Sequence, residues 1–170
     1  MLDILILYSL HKQEQTFYGL AKNIADLFGE ISIPSHGALH PALKRLMAEN
    51  LLIIRKKMSD GGKRYTYYSV SKNFQEGFNK KFTDLNFSRT ETLEAFLTGL
   101  KARIYTYELL DKQFSEEFKE KMLLKLDYFD KKIRAKNENS YIEFNDVQKK
   151  ISEIYLNEIA EYKTIMNALD

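Results

Sequence analysis

The chain has 170 residues, of which 44% are hydrophobic, 29% charged and 13% aromatic, a composition that supports an ordinary folded core and excludes a disordered chain. It contains no cysteine, which excludes disulfides, thiolate metal sites and a cysteine nucleophile and suits a reducing, cytoplasmic setting. The net charge of +2 is unevenly spread: residues 1–82 carry 12 Lys/Arg against 7 Asp/Glu, and residues 83–170 carry 14 against 17, so the first half alone is biased toward a polyanionic partner.

The chain opens with an apolar run from Leu2 to Leu10, interrupted by Asp3 and Ser9. This is far below the ~20 residues of a membrane span and lacks the basic lead-in and cleavage site of a signal peptide, so it predicts a core helix over 2–11. Thr16 is a candidate N-cap for a second helix over 17–28, with Leu20, Ile24, Leu27 and Phe28 on one face and Gly29 at its end. A third helix follows Pro34-Ser35, with Ser35 as cap and Leu39, Leu43, Leu46 and Met47 as its buried stripe. Asn50 tolerates the left-handed conformation that stops a helix. Two strands, Leu52–Met58 and Lys63–Val70, flank the turn signal Ser59-Asp60-Gly61-Gly62. Three helices followed by a basic, glycine-tipped hairpin is the winged-helix order.

No strand signal follows. Residues 91–111 read as one helix, and a second starts at Ser115-Glu116-Glu117 with the stripe Phe118, Met122, Leu126, Phe129 and Ile133. A polar break over Lys136–Ser140 precedes a last helix near 145–169. Val147, Ile151, Ile154, Tyr155, Ile159, Tyr162, Met166 and Leu169 recur along it at nearly coiled-coil spacing. The expected fold is mainly α with a small β-hairpin: a winged helix-turn-helix domain over 1–72, a connecting stretch over 73–90, and a helical dimerisation region over 91–170. Ile151, Ile154, Tyr155, Ile159, Tyr162 and Met166 are the expected dimer contacts, because a helix with one covered face must bring its remaining apolar surface to another chain. Aromatics of this half, such as Phe96, Tyr105 and Phe114, read as core or dimer packing before cavity lining.

Function concentrates in the segment from Pro34 to Leu46. Its outer flank offers Ser35, His36, Ala38, His40, Pro41, Lys44 and Arg45. Small residues at the N-terminal end allow close approach to a groove wall, free N–H groups of the first turn favour phosphate, and hydroxyl and imidazole groups reach base edges or phosphates. Arg55, Lys56, Lys57, Lys63 and Arg64 cluster around the hairpin tip, where each phosphate neutralised would release counterion. His36 and His40 have metal-ligand spacing, but Gly37 occupies the glutamate position of H-E-x-x-H and no third ligand is in sight, so no metal is expected. G-x-S-x-G, P-loop and G-x-G-x-x-G motifs are absent, and neither enzymatic activity nor a cofactor is expected.

The stretch from Leu2 to Val70 resembles the PadR family of bacterial transcriptional regulators. The resemblance rests on LDILILYSL, on Tyr18 entering the second helix, on GALHPALKRL and on RYTYYSVS. Gly37, Leu39, Pro41, Ala42, Leu43, Arg45 and Leu46 match the family's G-x-L-Y-P-A-L-x-R-L, while Arg64, Tyr67 and Tyr68 match its wing. His40 stands where the family usually has tyrosine, and Phe17 where it usually has glycine. The resemblance implies a homodimeric repressor of transcription, relieved by a small ligand (phenolic acids in the founding case), and a phosphate contact for Tyr18. The expected DNA-binding residues are therefore Tyr18, Ser35, His36, Ala38, His40, Lys44, Lys63 and Arg64. The expected partners are a palindromic duplex operator, a second copy of the chain and a small-molecule effector, with no membrane. The competing reading is a winged helix that serves as a protein-interaction module without DNA.

Overall fold

The computed structural model describes residues 1–29, 33–58, 61–83, 92–109, 115–138 and 146–169. The elements in chain order are α1 (Leu2–Lys12), β1 (Gln15–Thr16), α2 (Phe17–Phe28), α3 (His36–Ala48), β2 (Leu52–Met58), β3 (Arg64–Val70), α4 (Phe74–Thr83), α5 (Leu93–Thr106), α6 (Ser115–Glu138) and α7 (Asp146–Ala168), with a 3₁₀ turn at Tyr107–Leu109. They form two compact units, Met1–Asp111 and Lys112–Asp170.

In the first unit, α1 is the hub. Ile4, Leu5, Ile6 and Leu7 are buried in succession, so this helix is covered all round, as an apolar helix without a polar face must be. It packs on α2, α3, α4, α5 and β3. The helix at 93–106, which the apolar pattern alone would join to the C-terminal region, thus lies in the first unit, with Phe96, Leu97 and Leu100 buried. Of the predicted 73–90 connection, α4 begins at Phe74, and residues 84–90 lie outside the described residues. Arg103 is buried at 1% exposure. It donates from Nε to the Phe82 carbonyl at 2.8 Å, from Nη1 to that of Gly99 at 2.9 Å and from Nη2 to that of Lys81 at 3.4 Å. It thereby satisfies the otherwise unbonded last turn of α4, and burial pushes its guanidinium down to about 9.

The helix ends follow local chemistry. Thr16 Oγ1 accepts from Gly19 N at 3.1 Å and Ser35 Oγ from Ala38 N at 3.2 Å, as their N-cap positions require. At the end of α3, Asn50 adopts φ 59°, Asn50 N donates to Met47 O and Leu51 N to Leu46 O, both at 2.9 Å. This is the Schellman pair of hydrogen bonds. One prediction for α2 fails: Leu27 is half exposed, while Leu20, Ile24 and Phe28 are buried. Its position, seven residues beyond Leu20, has drifted to the edge of the covered arc.

The sheet is antiparallel, in the order β1–β3–β2. β2 and β3 pair from Leu52↔Val70 to Met58↔Arg64. Gly62 near the tip takes φ +74°, a conformation that costs glycine little. Ser59 and Asp60 of the predicted turn lie outside the described residues. β1 adds a third strand, with Gln15↔Tyr68 and Thr16↔Tyr67. At the root of the wing Gly77 abuts Leu51: a Cβ there would lie 2.6 Å from Leu51 Cδ1.

The second unit is an antiparallel helix pair. Lys119 Nζ donates to the Leu169 carbonyl at 3.1 Å, Lys163 pairs with Asp127 at 2.6 Å, and Ser152 Oγ bonds Asn137 Oδ1 at 3.2 Å. This register places Met122 beside Met166, Leu126 beside Tyr162 and Phe129 beside Ile159, all of them buried.

Candidate nucleic-acid interface

Hydrophobic burial sets the orientation of α3. Leu39, Leu43 and Leu46 are 0%, 1% and 0% exposed, and burying each contributes roughly 1.5–3 kcal/mol. Turning those leucines inward turns His36, Gly37, Ala38, His40, Pro41, Lys44 and Arg45 outward, and all seven are exposed. Pro41 lies inside the helix and has no N–H, so the Gly37 carbonyl one turn earlier lacks its helical donor. That carbonyl sits on the same open flank.

The N-terminal ends of α2 and α3 meet in a group of four rings. The Phe17 ring lies 5.3 Å from His36 and 6.1 Å from His40, and Tyr18 lies 5.5 Å from His36 and 5.7 Å from Phe17, all with edge-to-face geometry. Phe17 thus holds both imidazoles at the mouth of the motif. Tyr18 remains 72% exposed. Beyond them Lys44 continues the stripe, with no ion-pair partner among the described residues.

Arg45 is the exception on this flank. Its guanidinium forks onto the Asp3 carboxylate, with Nε–Oδ2 at 3.1 Å and Nη2 on Oδ1. Lys81 Nζ joins Asp3 at 3.1 Å and Glu49 at 2.7 Å. The network ties the far half of α3 to α1 and α4. Burial opposes the charge on Asp3, but the hydrogen bonds from Arg45 and Lys81 outweigh it and hold the carboxyl below its usual value. Arg45 therefore fixes the helix in place, a role that sequence order hides because its partner lies 42 residues away.

On the wing, strand pairing divides the cations between two faces. Arg55 opposes Tyr67 and Lys57 opposes Tyr65 on one face, while Lys56 opposes Thr66 and Arg64 opposes Met58 on the other. Lys57 is bound to Glu14 and lies over the Tyr67 ring at 5.0 Å. Lys63 lies over the Tyr65 ring at 5.8 Å, so it belongs to the face opposite Arg64. The wing presents charge on both sides of its tip instead of a single cationic plane. Tyr68 is half-buried beside the core and Tyr65 is exposed under its lysine.

The expected dimer residues fall into two groups. Ile159, Tyr162 and Met166 are buried within the chain, whereas Ile151 and Ile154 are exposed and Tyr155 is half-buried. Val147 and Ile165 are also exposed. Val147, Ile151 and Ile154 share one exposed flank of α7, beside the face closed against α6, and Glu158 and Glu161 separate them from Ile165 on that flank.

Among the described residues no group of three or more His, Cys, Asp or Glu could hold a metal ion, and no helix is long and apolar enough to cross a membrane. Three helices, a cation-bearing antiparallel wing and an uncovered α3 flank define the first unit as a winged helix-turn-helix domain. Residues 6–76 match the model of the transcriptional regulator PadR-like family. Over this stretch the chain is similar to the PadR-like family of transcriptional regulators. No curated protein matches the chain. Among solved structures, similarity extends to Bacillus subtilis PadR in complex with operator DNA, at 19% identity and TM-score 0.46, covering 99% of each chain. The same protein in complex with p-coumaric acid matches at 17% identity and TM-score 0.43, covering 99% of this chain and 95% of that one. A PadR-like transcriptional regulator from Bacillus cereus strain ATCC 14579 matches at 24% identity and TM-score 0.42, over 52% of this chain and 84% of that one.

Proposed function

We propose that this chain is a sequence-specific, homodimeric DNA-binding repressor. The observation that carries the reading is the α3 flank: an exposed row of Ser35, His36, Ala38, His40 and Lys44, free of carboxylates, backed by buried leucines and set beside a cationic wing. Ser35 and the first-turn N–H groups suit phosphate. Ala38 and Gly37 give the backbone room at a groove wall, and His36, His40 and Lys44 reach base edges or phosphates. Tyr18 supports the phosphate row from α2, and Lys63 and Arg64 do so from the two faces of the wing.

Dimerisation rests on the exposed apolar flank of α7, through Val147, Ile151 and Ile154, with Tyr155 at its margin. Ile159, Tyr162 and Met166 contribute by bracing α7 against α6. A twofold dimer sets two copies of α3 about 34–36 Å apart in successive major grooves, which requires a palindromic operator. For the effector, the p-coumaric acid complex of the Bacillus subtilis protein names the class to test, an aromatic carboxylate.

Selection of binding sites from random duplex DNA tests this reading. Enrichment of a palindrome, with release of that DNA by aromatic carboxylates, is the expected result. No enrichment, together with stoichiometric capture of a protein partner, would replace it with the interaction-module reading.

A further inference from the structure

Resting on that DNA-binding reading, we propose that duplex binding by this chain is coupled to proton uptake at His36 and His40, so that acidification tightens the complex. The two histidines and Lys44 stand one helical turn apart and form one outward stripe along α3. Imidazole is the side chain that changes charge between about pH 5 and 8, so protonation takes this stripe from one positive charge to three.

Among the described residues no ion pair reaches His36, His40 or Lys44. The segment His36–Ala48 contains no Asp or Glu. From α2 the rings meet Phe17 and Tyr18, and the next charged residue along that helix is Lys22. From α1 the acidic residue is Asp3, which is committed to Arg45 and Lys81 at the other half of α3. The charged residues of β2 are Arg55, Lys56 and Lys57, and Lys57 takes up Glu14. A row of phosphates supplies anionic partners that stabilise two imidazolium groups on this stripe. Linkage fixes the sign: a complex that binds more protons than the free protein gains affinity as pH falls and loses it as pH rises.

The Phe17 ring makes the coupling concerted. Both imidazoles lean on it, so they are presented together at the mouth of the motif, and a duplex that meets one meets the other. Each imidazolium placed on a phosphate also adds up to ~0.9 to the magnitude of the slope of log K against log salt, so the salt dependence steepens in acid.

The test is fluorescence anisotropy with random-sequence duplex DNA at about pH 6 and about pH 8, the range in which imidazole titrates, for wild type, the double variant H36Q/H40Q and H11Q. His11, stacked on Phe74 at 4.9 Å away from α3, serves as the control. Wild type and H11Q bind about tenfold or more weakly at the higher pH, and H36Q/H40Q loses that dependence. Calorimetry in two buffers of different ionisation enthalpy shows proton uptake by wild type that the double variant lacks. A pH-independent Kd, or a double variant that keeps the full pH dependence, overturns the coupling and leaves the DNA reading standing. No binding at either pH, even at low salt, overturns both.

Discussion

Replacing Asp3 by asparagine keeps the shape of the side chain and removes the charge on which Arg45 and Lys81 converge. Asp3 is 14% exposed, Lys81 20% and Arg45 52%, so the network lies between two limits. Breaking an exposed ion pair costs about 0–1 kcal/mol, and removing one partner of a fully buried pair costs about 3–5 kcal/mol. One nearly buried carboxylate with two cations of intermediate exposure places D3N at about 2 kcal/mol, a drop in Tm of about 4–8 °C for a chain of this length. The pH dependence follows from the lowered carboxyl of Asp3. A group of this kind contributes stability above its unfolded value near 3.8, and that contribution disappears as pH falls through the lower value of the folded state. Thermal and urea denaturation of wild type and D3N at neutral pH and at about pH 3 should therefore show a gap that closes in acid. Melting of D3N within about 1 °C of wild type at neutral pH, or a gap that persists undiminished in acid, would refute the claim that this network anchors α3.

Three further outcomes follow from the same geometry. K44A weakens duplex binding and lowers the magnitude of its salt slope by about 0.9 for each phosphate that the lysine neutralises; a slope unchanged in titrations across salt concentrations removes Lys44 from the phosphate row. I151D/I154D places two charges on the exposed apolar flank of α7 without touching the buried residues, so sedimentation should show monomers with wild-type helix content, whereas an unchanged dimer would move the interface elsewhere. G77A drives a methyl group into Leu51 and should cost about 1–3 kcal/mol in urea denaturation; wild-type stability would mean that α4 shifts freely at the root of the wing.

Much of the first unit is legible in sequence because its signals are local. The apolar run of α1, the caps Thr16 and Ser35, the stop at Asn50 and the wing strands all act within a few residues of themselves. What escapes is set by distant partners. Gln15-Thr16 has no strand pattern of its own and becomes β1 only because Tyr67 and Tyr68 offer an edge. Arg45 sits on the exposed flank by periodicity and is diverted by Asp3, whose place in an otherwise apolar run is the one available signal. The helix of residues 93–106 is visible in the sequence, but its membership of the first unit depends on the all-round burial of α1. On α7 the apolar spacing predicts a seam but cannot divide it between α6 and another surface; the register with α6 makes that division. Phe17 is likewise plain as an aromatic, while its hold on two imidazoles requires the crossing of α2 and α3.

The most direct measurement is a titration of isotope-labelled protein with duplex DNA, followed by backbone amide and imidazole NMR shifts. Movement concentrated in residues 35–44, at Tyr18 and at the wing around Lys63 and Arg64 is the predicted pattern. Shifts confined to other surfaces, with the outward side of α3 silent while DNA is bound, would contradict it.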